Sequence, residues 1–152
     1  MRILGIDYGD RRIGIAVSDP MKIIASGLET LPNNGDMHAV TGAVIQYVKD
    51  YGVDTVVVGM PKNMNNSLGF RSAATEVFLC TLREALAASE DEKLRAVTSV
   101  TWDERLTTVQ AARTMRDMGL KRKQKQKKGN VDKIAAVIIL QGYLDYLASA
   151  AR

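Results

Sequence analysis

Residues 2–18 read RILGIDYGDRRIGIAVS, and this stretch decides the fold. Arg2 to Tyr8 is mostly apolar. In an extended chain Leu4, Ile6 and Tyr8 share one face, and Ile3, Gly5 and Asp7 share the other. Both faces carry apolar residues, as expected for a strand inside a sheet that is covered on both sides. Gly9-Asp10-Arg11 is a short turn of the kind that closes a hairpin, and Arg12 to Ser18 is the returning strand. Asp19-Pro20 signals a second turn. Lys22 to Thr30 (KIIASGLET) then reads as a third strand, completing an antiparallel meander.

Beyond the meander the period of the apolar residues changes. Val40, Val44, Tyr47, Val48 and Tyr51 recur every three or four residues, which predicts an amphipathic helix from Asp36 to Tyr51. Asp36 suits its N-cap and Gly52 its C-terminal stop. Asp54 to Gly59 (DTVVVG) is a short β-branched run, the signature of a strand buried in a parallel sheet. Pro61 to Gly69 is a polar loop. Ser72 to Ala88 reads as a helix with Ala74, Val77, Phe78, Leu82, Ala85 and Leu86 on one face. Val97 to Trp102 is the next strand, Leu106 to Met118 a helix closed by Gly119, and Asp132 to Leu147 the last helix, faced by Ile134, Val137, Ile138, Gln141 and Leu144. The expectation is an α/β domain spanning residues 1–152. Its mixed five-stranded sheet combines a three-stranded antiparallel meander with two parallel strands and carries helices on both faces. In such sheets ligands gather beyond the carboxyl ends of the parallel strands.

Composition narrows the class. With 152 residues, 46% apolar and 25% charged, the chain is long enough to bury a core without disulfides or structural metal. The lone Cys80 forms no intrachain bridge, no apolar run has the length of a membrane span, and no signal-peptide pattern opens the chain; a cytoplasmic protein with a reduced thiol is expected. The net charge of +4 is concentrated in residues 121–128, KRKQKQKK, with six basic residues and no acid. Without that run the chain is slightly acidic. Such a segment suits a polyanion, nucleic acid above all, and its like charges predict mobility in the absence of one. A solvated loop with no partner is the plainer reading.

Three acidic positions fall where ligands gather. Asp7 lies in the first strand between apolar neighbours, where a carboxylate costs several kcal/mol unless it is paired or binds a cation; the plainer reading is a cap on the following turn. Asp103-Glu104 ends the last strand, and alternation keeps the two acids from pointing the same way. Asp132 opens the last helix and also suits an N-cap. Together, Asp7, Glu104 (or Asp103 in its place) and Asp132 can meet at one edge of the sheet. An all-oxygen set suits Mg²⁺ or Mn²⁺ rather than zinc. Carboxylates holding one or two such ions are common machinery for phosphodiester hydrolysis, one ion activating water and the other stabilising the leaving oxygen. His38 reads as exposed and Cys80 as structural. Trp102, beside the acids, is core or a base-stacking residue.

Residues 5–19, GIDYGDRRIGIAVSD, resemble the opening motif of the YqgF/RuvX family, known as Holliday-junction resolvases or pre-16S rRNA nucleases. Asp103-Glu104-Arg105-Leu106-Thr107-Thr108 resembles the family's second motif. Val131-Asp132-Lys133-Ile134-Ala135-Ala136 with Leu140-Gln141-Gly142-Tyr143-Leu144-Asp145 resembles its third. The resemblance implies an RNase H-like fold, bacterial origin, dependence on Mg²⁺ or Mn²⁺, catalytic and metal-binding roles for Asp7, Glu104 and Asp132, and a part in maturing the 5′ end of 16S rRNA within ribosomal precursor particles. The stretch after Gly59-Met60-Pro61 departs from the family's usual acid, Gly-rich turn and proline, although Asn63, Gly69 and Arg71 fit. The substrate contacts expected around the acids are Arg11, Arg12, Lys62, Asn63, Arg71, Arg105, Lys121, Arg122, Lys123, Lys125, Lys127, Lys128 and Lys133.

Three other readings compete with an RNA nuclease. A resolvase of branched DNA cuts two strands symmetrically and is expected to act as a dimer; the sequence fits a monomer or a weak homodimer. A sugar kinase or actin-like ATPase also opens with Asp-x-Gly in a hairpin, but needs two such domains to enclose a nucleotide. A non-catalytic ribosome-assembly module would not need the acidic trio.

Overall fold

The computed structural model describes residues 1–60, 70–103 and 128–151, with side chains for all of them except 70–72 and 128–133. The described elements are β1 (Arg2–Tyr8), β2 (Arg12–Ser18), β3 (Ala25–Pro32), α1 (Met37–Tyr51), β4 (Val53–Met60), α2 (Phe70–Ala87), α3 (Glu92–Arg95), β5 (Thr98–Asp103) and α4 (Lys128–Ala150). The strands form one five-stranded sheet in the order β3-β2-β1-β4-β5. β1 pairs antiparallel with β2 and parallel with β4, β2 antiparallel with β3, and β4 parallel with β5. The mixed sheet expected from the sequence is therefore present, with β1 at its centre.

Alternation along the strands divides the core in two. Leu4, Ile6 and Tyr8 of β1 and Val56 and Val58 of β4 pack with Val40, Val44 and Val48 of α1 and Phe78 and Leu82 of α2. On the other face Ile3, Ala16 and Val57 pack under Ala136, Val137, Ile139, Leu140 and Leu144 of α4, with Val100 and Trp102 at the margin. Residues 134, 136–140 and 144 of α4 are all buried, so this helix is apolar nearly all round its middle turns. Gly5 is what lets it lie so close. A Cβ there would stand 2.7 Å from the Leu140 Cβ and 3.2 Å from the Ala136 carbonyl oxygen.

Asp36 caps α1 through a carboxylate that accepts from Ala39 N, and Gly52 ends the helix in the left-handed conformation. Several boundaries differ from the sequence expectation. The third strand begins at Ala25, not Lys22, because the Asp19 carboxylate captures the preceding amides: its Oδ1 accepts from Ile23 N and Ile24 N, each at 2.7 Å, and its Oδ2 from Met21 N at 3.1 Å. Val77, placed on the inner face of α2 by its spacing, is exposed, while Thr75 and Leu79 are buried. The short α3, capped by Asp91, was not signalled by any apolar period. α4 begins at Lys128, one turn before Asp132. Its buried middle makes propagation backwards through Gly129 favourable, at a cost of about 1 kcal/mol for a helical glycine. The helix expected at 106–118 and most of the basic run at 121–128 lie outside the described residues.

Candidate active site

Asp7, the penultimate residue of β1, is 6% exposed. It lies on the α4 face of the sheet, in alternation with Ile3 and Gly5. In the β1–β2 register it stands opposite Gly14. In the β1–β4 register Ile6 is level with Val58, so one step further sets Gly59 beside Asp7. Neither cross-strand neighbour brings a side chain to that face. Asp7 is partnered within the fold.

The hairpin after Asp7 is held at the same end. Asn33 donates from Nδ2 to the Gly9 carbonyl at 2.8 Å, and its backbone N–H donates to the Arg11 carbonyl at 2.8 Å. A Cβ on Gly9 would collide with the Arg12 carbonyl oxygen. Arg11 is exposed and Arg12 half-buried. Arg12 is partnered within the fold. Asn33 carried no signal in the sequence, where the third strand was expected to end at Thr30 rather than at Pro32.

Asp103 closes β5, half-buried and level with Met60 of β4. Trp102 packs on the α4 face, so alternation assigns Asp103 to the opposite face from Asp7. Arg71 lies in the first turn of α2, Lys128 opens α4, and Asp132 and Lys133 follow one turn later; for these four the backbone alone is described. Asp132 is thus inside the helix, which corrects its reading as the N-cap. Glu104, Lys62, Asn63, Arg105, Lys121, Arg122, Lys123, Lys125 and Lys127 lie outside the described residues. Among the described residues no three His, Cys, Asp or Glu side chains gather as a metal site requires. His38 on α1 and Cys80 on α2 are both exposed. Their helices cover the sheet face opposite Asp7.

A family model described as RuvX, Holliday junction resolvase, matches residues 1–146. The chain belongs to the RuvX family. Among relatives of this RuvX protein is one from Acetivibrio thermocellus, 48% identical over 145 residues, covering 95% of this chain and 96% of the relative. Another, from Bacteroides fragilis, is 43% identical over 144 residues, covering 95% and 96%. Both carry the name "Putative pre-16S rRNA nuclease". Among solved structures, Thermus thermophilus RuvC in complex with a Holliday junction substrate superposes with a TM-score of 0.63 at 13% identity, over 99% of this chain and 96% of that one. The yeast mitochondrial Holliday junction resolvase Ydc2 gives 0.62 at 11%, over 98% and 80%. At such identities the likeness is one of fold, and that fold is the RNase H-like arrangement expected from the sequence. The RuvX chain is a member of a nuclease family, and no helix among its described residues is long and apolar enough to cross a membrane.

Proposed function

We propose that this RuvX protein is a cytoplasmic, divalent-metal-dependent nuclease, a single domain that hydrolyses phosphodiester bonds of structured nucleic acid. Its substrate is precursor 16S rRNA, the RNA in its relatives' name, and its task is the maturation of the 5′ end that the family resemblance implies. The observation that carries this reading is Asp7: a buried carboxylate at the carboxyl end of the central strand, with glycines as both cross-strand neighbours.

The direction of α4 supports Asp132 as the second ligand. Gln141 anchors the helix at the far end of the meander, accepting from Ala25 N at 2.9 Å and donating to the Ile23 carbonyl at 3.0 Å. Ala136 and Leu140 cross Gly5, so the turns before them run towards the Asp7 end. Asp132 precedes Ala136 by four residues, about 6 Å of helix. Asp103 falls on the face of β5 opposite Asp7 and so does not join them, and the family resemblance gives the third place to Glu104.

Three carboxylates without nearby imidazole or thiolate fit Mg²⁺ or Mn²⁺. Asp7, Glu104 and Asp132 would hold the ion, which when bound supplies positive charge that acidifies water and offsets charge developing on phosphate oxygens. Arg11 and Arg12, fixed by the Asn33-pinned hairpin, orient the phosphate backbone. Lys62, Asn63, Arg71, Arg105, Lys133 and the basic run extend that contact.

The test is incubation of the purified protein with precursor 16S rRNA and with a four-way DNA junction, each in Mg²⁺, Mn²⁺ or EDTA. Cleavage of the precursor in either metal, and none in EDTA, is expected. Paired symmetric cuts confined to the junction would instead favour the resolvase named in the family description. Binding of both substrates with cleavage of neither would favour a non-catalytic assembly factor.

A further inference from the structure

Three aromatic rings gather on the α4 side of the sheet. Trp102 of β5 meets Tyr143 of α4 edge-on, with centroids 6.2 Å apart at 79°, and Tyr146 at 6.0 Å and 56°. Tyr143 and Tyr146, three residues apart on one helix face, lie 6.4 Å from each other at 30°. These are favourable separations for aromatic pairs. The Trp102 indole Nε1 is buried and has no hydrogen-bond partner among the described residues, so ring packing sets its orientation. Tyr146 stands outermost, 57% exposed. By contrast, the Tyr8–Phe78 stack, at 4.8 Å, is buried in the core on the other face.

The sheet register ties this trio to Asp7. Trp102 is level with Gly59, and Gly59 is the next step after the Ile6–Val58 pair, beside Asp7. Trp102 and Asp7 therefore share a face and a height, separated by two strand spacings, about 10 Å. A nucleic-acid strand advances by roughly 3.4 Å per nucleotide even when fully stacked. Tyr146 lies fourteen residues along α4 from Asp132, about 21 Å of helix, so a base several nucleotides from a phosphate at Asp7 falls within the span of the trio.

We infer that Tyr146, backed by Trp102 and Tyr143, is a stacking surface for an unpaired base of the substrate strand that passes Asp7. The inference rests on the nuclease reading and deepens it. The preferred substrate carries single-stranded nucleotides several positions from the scissile phosphate, and their bases are held by sequence-tolerant stacking on tyrosine rather than by edge recognition. Trp102, the chain's single tryptophan, touches Tyr146 and so reports on the contact.

The experiment measures binding in EDTA, where no metal-dependent cleavage intervenes. The probes are a stem-loop RNA with a single-stranded 5′ extension and the same stem-loop without it. The wild-type protein is expected to bind the extended RNA more tightly and to show a change in Trp102 fluorescence only with that RNA. Tyr146→Ala should weaken binding of the extended RNA by about tenfold, the scale of one base–aromatic stack, with the blunt RNA unaffected. Tyr146→Phe, which keeps the ring, should retain wild-type binding. Wild-type affinity of Tyr146→Ala for both RNAs, or an equal loss on both, overturns the stacking site while leaving the nuclease reading intact. Failure of the wild-type protein to bind either RNA overturns both.

Discussion

Gly5 and Leu140 are in direct opposition: a Cβ on Gly5 would stand 2.7 Å from the Cβ of Leu140, closer than two such carbons approach. The central strand and the last helix are in contact at this point with nothing between them, and the helix that crosses there carries Asp132 towards Asp7.

Gly5→Ala is therefore expected to push α4 off the sheet. The overlap involves a Cβ and, at 3.2 Å, the Ala136 carbonyl oxygen, neither of which can rotate away. The cost expected for overpacking is about 1–3 kcal/mol, read as a lowered urea midpoint. Leu140→Ala keeps its Cβ and will not rescue the variant. It should add its own loss of about 2–5 kcal/mol for a truncated buried leucine.

Substitution of the acids one at a time separates ligands from bystanders. Asp7→Asn and Asp132→Asn should each lower cleavage of precursor rRNA in Mg²⁺ by at least about a hundredfold, the scale of several kcal/mol supplied by a bound ion. Circular dichroism should show the fold retained. Asp103→Asn, on the opposite face of β5, should cleave within a few-fold of wild type. Cleavage lost in Asp103→Asn and kept in Glu104→Gln would reverse that assignment.

Much of this architecture was legible because the strands and helices announce themselves by period. β1 and β2 end where the alternation of RILGIDY and RIGIAVS ends, and Asp36 and Gly52 bound α1 as their chemistry dictates. The start of β3 was not legible, since nothing in KIIASGLET shows that the Asp19 carboxylate will take the amides of Ile23 and Ile24 out of the ladder. Asp132 suited the N-cap of the last helix, but the burial of Ile134 and residues 136–140 outweighs the local cost of a helical Gly129 that propensity registers in full. At the site, Asp7 stood out as a carboxylate among apolar neighbours. The glycines beside it, the pinning of the hairpin by Asn33 and the anchoring of α4 by Gln141 join residues far apart in the chain, which no local period encodes.

Asp19 gives the Met21–Ile24 loop an acid-side sensitivity. Backbone N–H groups of Ile24 and then Ile23 donate to its carboxylate, holding its pKa below the ordinary aspartate range against the opposing effect of desolvation. A depressed folded-state pKa contributes stability that is present above the unfolded-state value, about 4, and is lost as pH falls through the lower folded value. Urea midpoints of wild type and Asp19→Asn should therefore differ at pH 7 and converge at acidic pH. A difference that persists unchanged to pH 2 would contradict the role given to these two amides.

The basic run and the acids should separate binding from chemistry. Replacing all the lysines and the arginine of residues 121–128 by glutamine removes the densest cluster of positive charge in the chain. Each phosphate that the run no longer neutralises lowers the slope of log K against log salt by about 0.9 on duplex and about 0.7 on single strands. The expected outcome is weaker binding of precursor rRNA at low salt, a flatter salt dependence, and convergence with wild type as salt rises and screening removes the advantage of the run. Asp7→Asn should behave in the opposite way. It removes a negative charge from the path of the phosphate backbone, so binding and its salt slope are retained or slightly increased while hydrolysis is lost. A glutamine variant whose salt slope matches wild type would mean that residues 121–128 neutralise no phosphate, and the attraction would then fall to the Arg11–Arg12 hairpin beside Asp7.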